Sequence, residues 1–413
     1  MKVTHVITVN TGGAYTAVRR IAECLESEEL HSVVLLRNSV KNCENIQHEE
    51  NVFLDSTGKI FFSKAGNLMN LIASSKDVDN DLFANDISDN ESIRSADVIF
   101  IHWINSFLSY AKLKRIKESI KKPIIIVMHD MWHATGGCHY SIGCDRYING
   151  CISCPKVGYV ADKAMKLCIK RKKQFFSSHN PYMVTISDWE KSIALSSSIC
   201  NCDGINSNRI FRIWNPINTE IFKPYQRDEI RTKYQIGDRP VILFGADRLR
   251  DEVKGVKYIF DALKHLDISN YIVICFGIKQ LPEELKNDHA YIRCLGRIED
   301  EHSLAEIYSM ADVYVTTAVQ EAFGYTCCES LACGTPVVAF AIGGMLDQII
   351  HKQTGFLAEP NDAESVAKGI EYCIENRTTL GDAARKSVLG RFDYKTIGKQ
   401  YKDLIQRVVN DRS

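Results

Sequence analysis

Val313-Tyr-Val-Thr316, followed by Glu321-Ala-Phe-Gly324-Tyr-Thr-Cys-Cys-Glu329-Ser-Leu-Ala-Cys-Gly334-Thr-Pro336-Val337-Val-Ala-Phe340, reads as a strand, a loop, a short helix and a second strand. The two outer runs are short, apolar and rich in β-branched residues, as buried strands are. The helix opens near Gly324 and closes at Gly334. A Gly just past a helix end, with a Pro beyond it, is a stop signal. Strands that alternate with helices build a parallel sheet covered on both faces.

The same rhythm extends in both directions. Upstream in the second half it begins at Pro240-Val-Ile-Leu-Phe244 and continues at Tyr271–Phe276 and Tyr291–Leu295. In the first half the strand-like runs are Val3–Val9, Val33–Leu36, Val98–Ile101, Ile124–Met128, Val184–Ile186 and Ile210–Trp214. Ala14–Leu25 reads as a helix with Ala17, Val18, Ile21 and Leu25 on one face. Residues 41–95 are rich in Asn, Asp and Ser and read as a loop-rich insertion. The pattern halts at Asn215-Pro216, and the polar stretch Thr219–Asp238 reads as a linker. The last helix, about Tyr394 to Val409, follows no strand of its own.

The expected fold is therefore α/β, with two Rossmann-like domains facing across a cleft. The first spans 1–215 and is completed by a C-terminal helix, 394–413, that crosses back to it. The second spans 216–393. A chain of 413 residues suits two domains of about 200 residues each. Open parallel sheets bind ligands at the carboxyl ends of their strands, so chemistry is sought there.

Lys plus Arg and Asp plus Glu both number 51, so no global field attracts nucleic acid. The opening Met1–Asn10 run is too short for a signal peptide, and no run approaches the length of a membrane span. The expectation is a cytoplasmic enzyme. Fifteen cysteines in such a chain point to free thiols or a metal site before disulfides.

Three features carry chemistry. A helix start near Gly324 offers free backbone N–H groups and a partial positive charge, a seat for a diphosphate. Glu329, about one turn further in, is placed to accept hydrogen bonds from ribose hydroxyls. Glu321, ahead of the helix, is free to reach a sugar hydroxyl or the reacting carbon. Taken alone, both Glu could equally be solvated charges flanking a core helix.

The whole segment, two Glu eight positions apart around Phe323-Gly324 ahead of Ala-Cys-Gly-Thr-Pro-Val-Val, closely resembles the signature of retaining GT-B-type glycosyltransferases of the large family four. That family grips its donor diphosphate with an Arg and a nearby Lys. Here Gly245-Ala-Asp-Arg248-Leu-Arg250-Asp-Glu-Val-Lys254-Gly255 supplies Arg248 and Lys254, with Arg250 as a substitute for the first. The resemblance places Phe323, Gly324, Tyr325 and Thr326 with Glu329 at the donor. It makes Gly12-Gly13 the glycine loop near the donor phosphates and His129, after Ile124–Met128, the active-site His. Ser187, Asn215-Pro216, Gly343-Gly344 and Thr354-Gly-Phe-Leu357 also fit its pattern.

The implied reaction takes a sugar from a nucleotide diphosphate sugar with retention of configuration. The leaving phosphate oxygen accepts the proton of the acceptor hydroxyl, so no protein base is needed. Arg248, Lys254 and the helix start oppose the leaving-group charge, and no cofactor is required. Asp77-Val-Asp79 lies in the irregular insertion, a poor setting for a metal-binding Asp-x-Asp.

The stretch 136–155 contains Cys138, Cys144, Cys151 and Cys154 at spacings of 6, 7 and 3. Four thiols suffice for a tetrahedral structural zinc; a loop of free or disulfide-forming thiols is the other reading. This insertion resembles a subgroup of bacterial polysaccharide glycosyltransferases, including those of colanic-acid and O-antigen assembly, which implies a glycan or polyprenyl-linked acceptor. Two basic segments, Lys112 to Lys122 and Lys163 to Lys173, the second with Leu167, Ile169, Phe175 and Phe176 interleaved, suit either a solvated helix face or an anionic membrane surface on its inner side. Rival readings are a nucleotide-sugar epimerase of the same fold and a catalytically silent sugar-nucleotide-binding protein.

Overall fold

The computed structural model describes residues 1–38, 49–51, 86–105, 107–202, 207–245, 249, 251–283, 285 and 289–411. Arg248, Arg250, Asp77–Asp79 and most of the 41–95 segment lie outside the described residues. The chain divides into two compact units, Met1–Pro216 with Ile397–Ser413, and Ile217–Thr396.

In the first unit seven strands form one sheet: β1 (Lys2–Val9), β2 (His31–Asn38), β3 (Glu49–Asn51), β4 (Val98–Ile101), β5 (Ile124–Val127), β6 (Tyr182–Thr185) and β7 (Ile210–Arg212). Their order is β3-β2-β1-β4-β5-β6-β7, and every pairing is parallel. β4, β5 and β6 are buried at every position, which is why they read as unbroken apolar runs without alternation. β3 and the short helix Glu91–Ser95 fall inside the stretch read as irregular. Polar composition hid them: β3 is Glu-Glu-Asn at the edge of the sheet.

The terminal helix Tyr394–Asn410 buries Ile397, Tyr401, Leu404, Ile405 and Val408. Tyr401 packs its ring on Phe100 of β4, and Lys402 pairs with Glu28 at 3.1 Å. The helix thus covers the sheet of the first unit although it follows the second in sequence.

The second unit holds β8 (Val241–Gly245), β9 (Ile272–Phe276), β10 (Arg293–Cys294), β11 (Val313–Thr316), β12 (Val337–Phe340) and β13 (Gly355–Ala358). The order is β10-β9-β8-β11-β12-β13, again wholly parallel.

The polar stretch read as a linker is not one throughout. Arg227–Lys233 is a helix packed on the helix Glu301–Met310. Its arginines converge on Asp312: Arg227 pairs with one carboxylate oxygen and Arg231 with the other at 2.7 Å. Arg377 approaches to 3.5 Å, and the Val241 N–H donates to Asp312 at the start of β8. A charged sequence here marks a paired cluster, not a solvated tether.

Candidate functional site

In the second unit, the loops after β8 and β11 are tied together by backbone bonds. The Val319 N–H donates to the Val253 carbonyl at 2.8 Å, and the Thr317 hydroxyl donates to the Gly255 carbonyl at 2.9 Å. Lys254 lies between those two anchors, and its Nζ stands 2.7 Å from Glu321 Oε2. Half of the Lys254 side chain is exposed, whereas Glu321 is 17% exposed. The pairing joins two residues 67 positions apart at the carboxyl end of neighbouring strands β8 and β11.

The loop holding Glu321 is clamped from behind. The Gly344 N–H donates to the Glu321 carbonyl at 3.0 Å, and Gln348 Nε2 donates to the Phe323 carbonyl at 2.6 Å. Gly343 has φ +49°, and a β-carbon there would overlap the Glu321 carbonyl oxygen. Gly324 has φ +84° and turns the chain into the helix Tyr325–Ala332. A β-carbon on Gly324 would collide with Met345 Cε. No side chain caps this helix start, and the positive end of a helix dipole favours an anion.

Glu329 is buried on that helix, and the Tyr308 hydroxyl donates to its Oε2 at 3.3 Å. Burial and the nearby Glu329 charge push the Tyr308 phenol well above its usual range, so it remains a donor. Phe323 is buried too, with its ring against Tyr325 and Phe392. Its side chain belongs to the core, which leaves only its backbone for the donor role expected of it. Tyr325 and Thr326 are partly exposed at the first turn. Arg248 lies outside the described residues, so Lys254 is the cation this geometry supplies.

In the first unit, Gly12 and Gly13 are exposed at the start of the helix Gly12–Glu26. Gly12 has φ +82°, and Thr11 makes no side-chain cap. His129 follows β5 in a dense polar network. Its Nε2 lies 2.8 Å from His102 Nδ1, and His102 Nε2 lies 3.0 Å from His5 Nδ1. Burial lowers the pKa of His129 to about 4 and that of His5 to about 3. Both rings are neutral at pH 7.

Asp130 accepts from His139 Nδ1 at 2.6 Å and from the Trp132 N–H at 2.8 Å. Burial works against its charge, but His139 and the Trp132 amide outweigh that and hold its pKa low. Lys172, fully buried, donates to the Trp132 and Thr135 carbonyls, with its Nζ 3.8 Å from the Trp132 ring centre. Ser187 caps the helix Asp188–Ser196, and Glu190 on that helix accepts from the Ile186 N–H. His102, His139, Asn105, Gln348 and Tyr308 carried no sequence signal. Each is a single polar residue whose meaning comes from the strand or helix beside it.

Cys138 and Cys151 are buried with Met165, Ile169 and Ile199, and Cys154 packs on that cluster. The Gly136 N–H donates to Cys151 Sγ at 3.2 Å. All four are free thiols. Among the described residues no set of three or more His, Cys, Asp or Glu side chains is grouped to hold a metal ion. The left-handed backbone at Ile142, Cys151 and Ser153 folds the loop around an apolar centre. Burial, the first cause, pushes the Cys138 thiol up to about 12.

The basic segment near Lys172 also differs from expectation. Ile169, Phe175 and Phe176 are core residues and Lys172 is buried; Leu167 is the exposed apolar residue among those interleaved. On the helix Tyr159–His179, Phe175 and Phe176 pack inward against Tyr110 of the helix Tyr110–Ile120, and Ile169 packs on the cysteine loop. Among the described residues no helix is long and apolar enough to cross a membrane.

Residues 226–387, within the second unit, match the family model for glycosyl transferases group 1. An uncharacterized glycosyltransferase of Methanocaldococcus jannaschii is 28% identical over 225 residues, 51% of this chain and 57% of that protein. The chain spans about half the length of the curated relatives it matches. Among solved structures, sucrose-phosphate synthase from Thermosynechococcus elongatus aligns over 99% of both chains with a TM-score of 0.70 at 18% identity. Anabaena HepE in complex with UDP-glucose aligns over 98% of this chain and all of the other, with a TM-score of 0.68 at 16% identity. The fold is the GT-B fold of these glycosyltransferase structures.

Proposed function

We propose that this protein is a retaining glycosyltransferase that moves a sugar from a nucleotide diphosphate donor to a glycan or polyprenyl-linked acceptor in surface polysaccharide assembly. The observation that carries the reading is Lys254 paired with Glu321 beside the uncapped start of the helix Tyr325–Ala332. As the sugar–phosphate bond breaks, negative charge grows on the departing diphosphate. Lys254 and the helix N–H groups oppose that charge, and Arg248 belongs in the same role from the same loop. Glu329 binds the ribose, and Glu321 is left to a sugar hydroxyl once Lys254 turns to phosphate. The new bond joins the acceptor oxygen to the anomeric carbon, and the acceptor proton passes to the leaving phosphate oxygen.

HepE was solved with UDP-glucose, which makes uridine nucleotides the first donors to test. Arg115, Lys121, Lys163, Lys166 and Lys170 are exposed on and beside the two packed helices of the first unit. They support a cytoplasmic enzyme that docks on an anionic inner membrane surface. His129 belongs to the acceptor side of this reading.

The experiment is incubation of the full chain with radiolabelled nucleotide sugars and a bacterial lipid extract. The expected result is label in the lipid-linked fraction together with released nucleoside diphosphate. Isomerised nucleotide sugar without transfer, or unchanged donor with every nucleotide, would reject the reading.

A further inference from the structure

Three isoleucines of the cysteine loop reach solvent. Ile142, Ile148 and Ile152 are 50%, 43% and 64% exposed, and Ile152 is the most exposed large apolar residue among those described. Single exposed aliphatic side chains are ordinary, but several on one loop mark a contact surface. The loop that carries them is braced. Lys156 Nζ donates to the Tyr140 carbonyl at 2.9 Å and closes 141–155 at its base. Within it, the Cys151 N–H donates to the Arg146 carbonyl at 2.7 Å. The Ser198 N–H, just after the helix Asp188–Ser196, donates to the Tyr147 carbonyl at 3.3 Å. Cys138 and Cys151 already fill the apolar centre with Met165, Ile169 and Ile199.

Cations accompany these side chains. Arg146 is exposed, and its guanidinium donates to the carbonyls of Ile152 and Ser153. Lys156 anchors the base, and Lys173 Nζ lies 3.0 Å from where a β-carbon on Gly150 would stand. The helix on which the loop packs, Tyr159–His179, exposes Lys163, Lys166 and Lys170. Residues 136–173 hold eight Lys and Arg against two Asp, while the whole chain is balanced at 51 of each sign.

Aliphatic side chains set among cations fit one kind of partner best. At an anionic lipid bilayer the isoleucines leave water at the boundary of headgroups and acyl chains, and the cations meet lipid phosphates. Charge alone would be screened by salt, and three side chains alone bury a modest area, so the two act together. A second copy of the chain is a poorer match. A twofold contact sets one patch against the same patch, and Arg146 and Lys173 would then face like charges.

We infer that the cysteine loop is the membrane-inserting element of this protein: Ile142, Ile148 and Ile152 enter an anionic lipid bilayer while Arg146, Lys156 and Lys173 hold its phosphates. This rests on the proposed reading of an enzyme that docks on an anionic membrane, and it names the segment that enters the lipid. The buried thiols are then the internal packing of the loop, and the exposed isoleucines are its working face.

The test is flotation of the full chain with vesicles of phosphatidylcholine alone, and of phosphatidylcholine with an equal part of phosphatidylglycerol. The wild type is expected to float with the anionic vesicles and to bind the neutral ones at least about tenfold less. Ile142→Ser, Ile148→Ser and Ile152→Ser combined in one chain should lower binding to the anionic vesicles about a hundredfold, and the matching leucine variant should keep it. Arg146→Gln should lower it about fivefold. The three positions are exposed, so the serine variant should melt with the wild type. If it does not, Ile152→Ser alone decides, with an expected loss of about fivefold. Equal binding of the wild type and the serine variant, or no binding of the wild type to either vesicle, overturns the inference. So does equal binding to both vesicles, or a wild-type dimer that the serine variant dissolves. No sugar donor is present, so failure of sugar transfer and failure of vesicle binding are separate results.

Discussion

Lys254 Nζ and Glu321 Oε2 are 2.7 Å apart at the carboxyl ends of two adjacent strands. An exposed pair of this kind contributes only about 0–1 kcal/mol to stability, because water serves both charges nearly as well. A diphosphate offers Lys254 two adjacent anionic groups in place of one carboxylate. In the proposed reaction this ion pair is the resting partner of Lys254, and binding of the donor diphosphate is expected to exchange it.

That exchange separates activity from stability. Lys254→Ala is expected to lower transfer by a factor of several hundred, since one preorganised donor contributes about 3–4 kcal/mol to such a step. Its melting temperature should stay close to wild type. Rate assays beside thermal melts check this, and a variant with full activity would remove Lys254 from the mechanism.

Gly324 and Gly343 place the Glu321 loop by having no β-carbon. Gly324→Ala must take a left-handed backbone, costing about 1–2 kcal/mol, and must also push Met345 aside. Gly343→Ala meets the Glu321 carbonyl, which is backbone and cannot swing away. The second substitution should therefore lower the melting temperature more than the first. Calorimetric melts of the two variants measure the order.

Acid should weaken the first unit early. His5 and His133 have pKa values lowered to about 3, and His129 to about 4, each chiefly by burial. Unfolded, each takes up a proton near pH 6.5. The unfolded state then binds more protons, so stability present above pH 6.5 is lost as pH falls toward the folded values. At pH 5 each such group costs about 2 kcal/mol. Glu190 acts in the opposite sense: burial raises its pKa well above normal, so its stabilising contribution falls as pH rises above the unfolded value. The histidines outnumber it. Urea midpoints at pH 7 and pH 5 should show a clear drop at pH 5; equal midpoints would show the rings are not buried neutral.

The strands were legible where continuous apolar runs met polar borders. Val98–Ile101, Val313–Thr316 and Val337–Phe340 appear with the expected ends. Tyr291–Leu295 shrinks to Arg293–Cys294 because β10 is an edge strand paired on one side only. Arg227–Lys233 looked like a tether because its partner, Asp312, is far away in sequence. Lys254 and Glu321 were singled out by the resemblance of their segments to a known family, and the fold pairs them. His102 and His139 were not: the order of strands in the sheet brings His102 to His129, and a loop folding back brings His139 to Asp130.

The same cluster gives a stability prediction. Asp312 is 10% exposed and serves three arginines and a strand N–H. Asp312→Ala leaves the buried Arg231 guanidinium, and the partly buried Arg227 and Arg377, without their carboxylate and should cost about 3 kcal/mol. Chemical denaturation of the variant reads this directly, and a loss under about 1 kcal/mol would mean that water serves the arginines as well.

The thiols give a chemical readout. At pH 8 a thiol with a pKa near 12 is thiolate only about one part in ten thousand, and Cys138 is also buried. Cys144 and Cys154 are partly exposed. Limited alkylation followed by peptide mapping should label Cys144 and Cys154 before Cys138 and Cys151. The reverse order would contradict the packing of the loop.

In the proposed function a nucleoside diphosphate seats on Lys254 and the helix beginning at Tyr325. Isothermal titration of the wild type and Lys254→Ala with UDP, GDP, ADP and TDP tests it most directly. One of these is expected to bind the wild type, with an affinity that falls at least about a hundredfold in the variant. Equal affinity in the two proteins, or no binding of any of the four to the wild type, would contradict it.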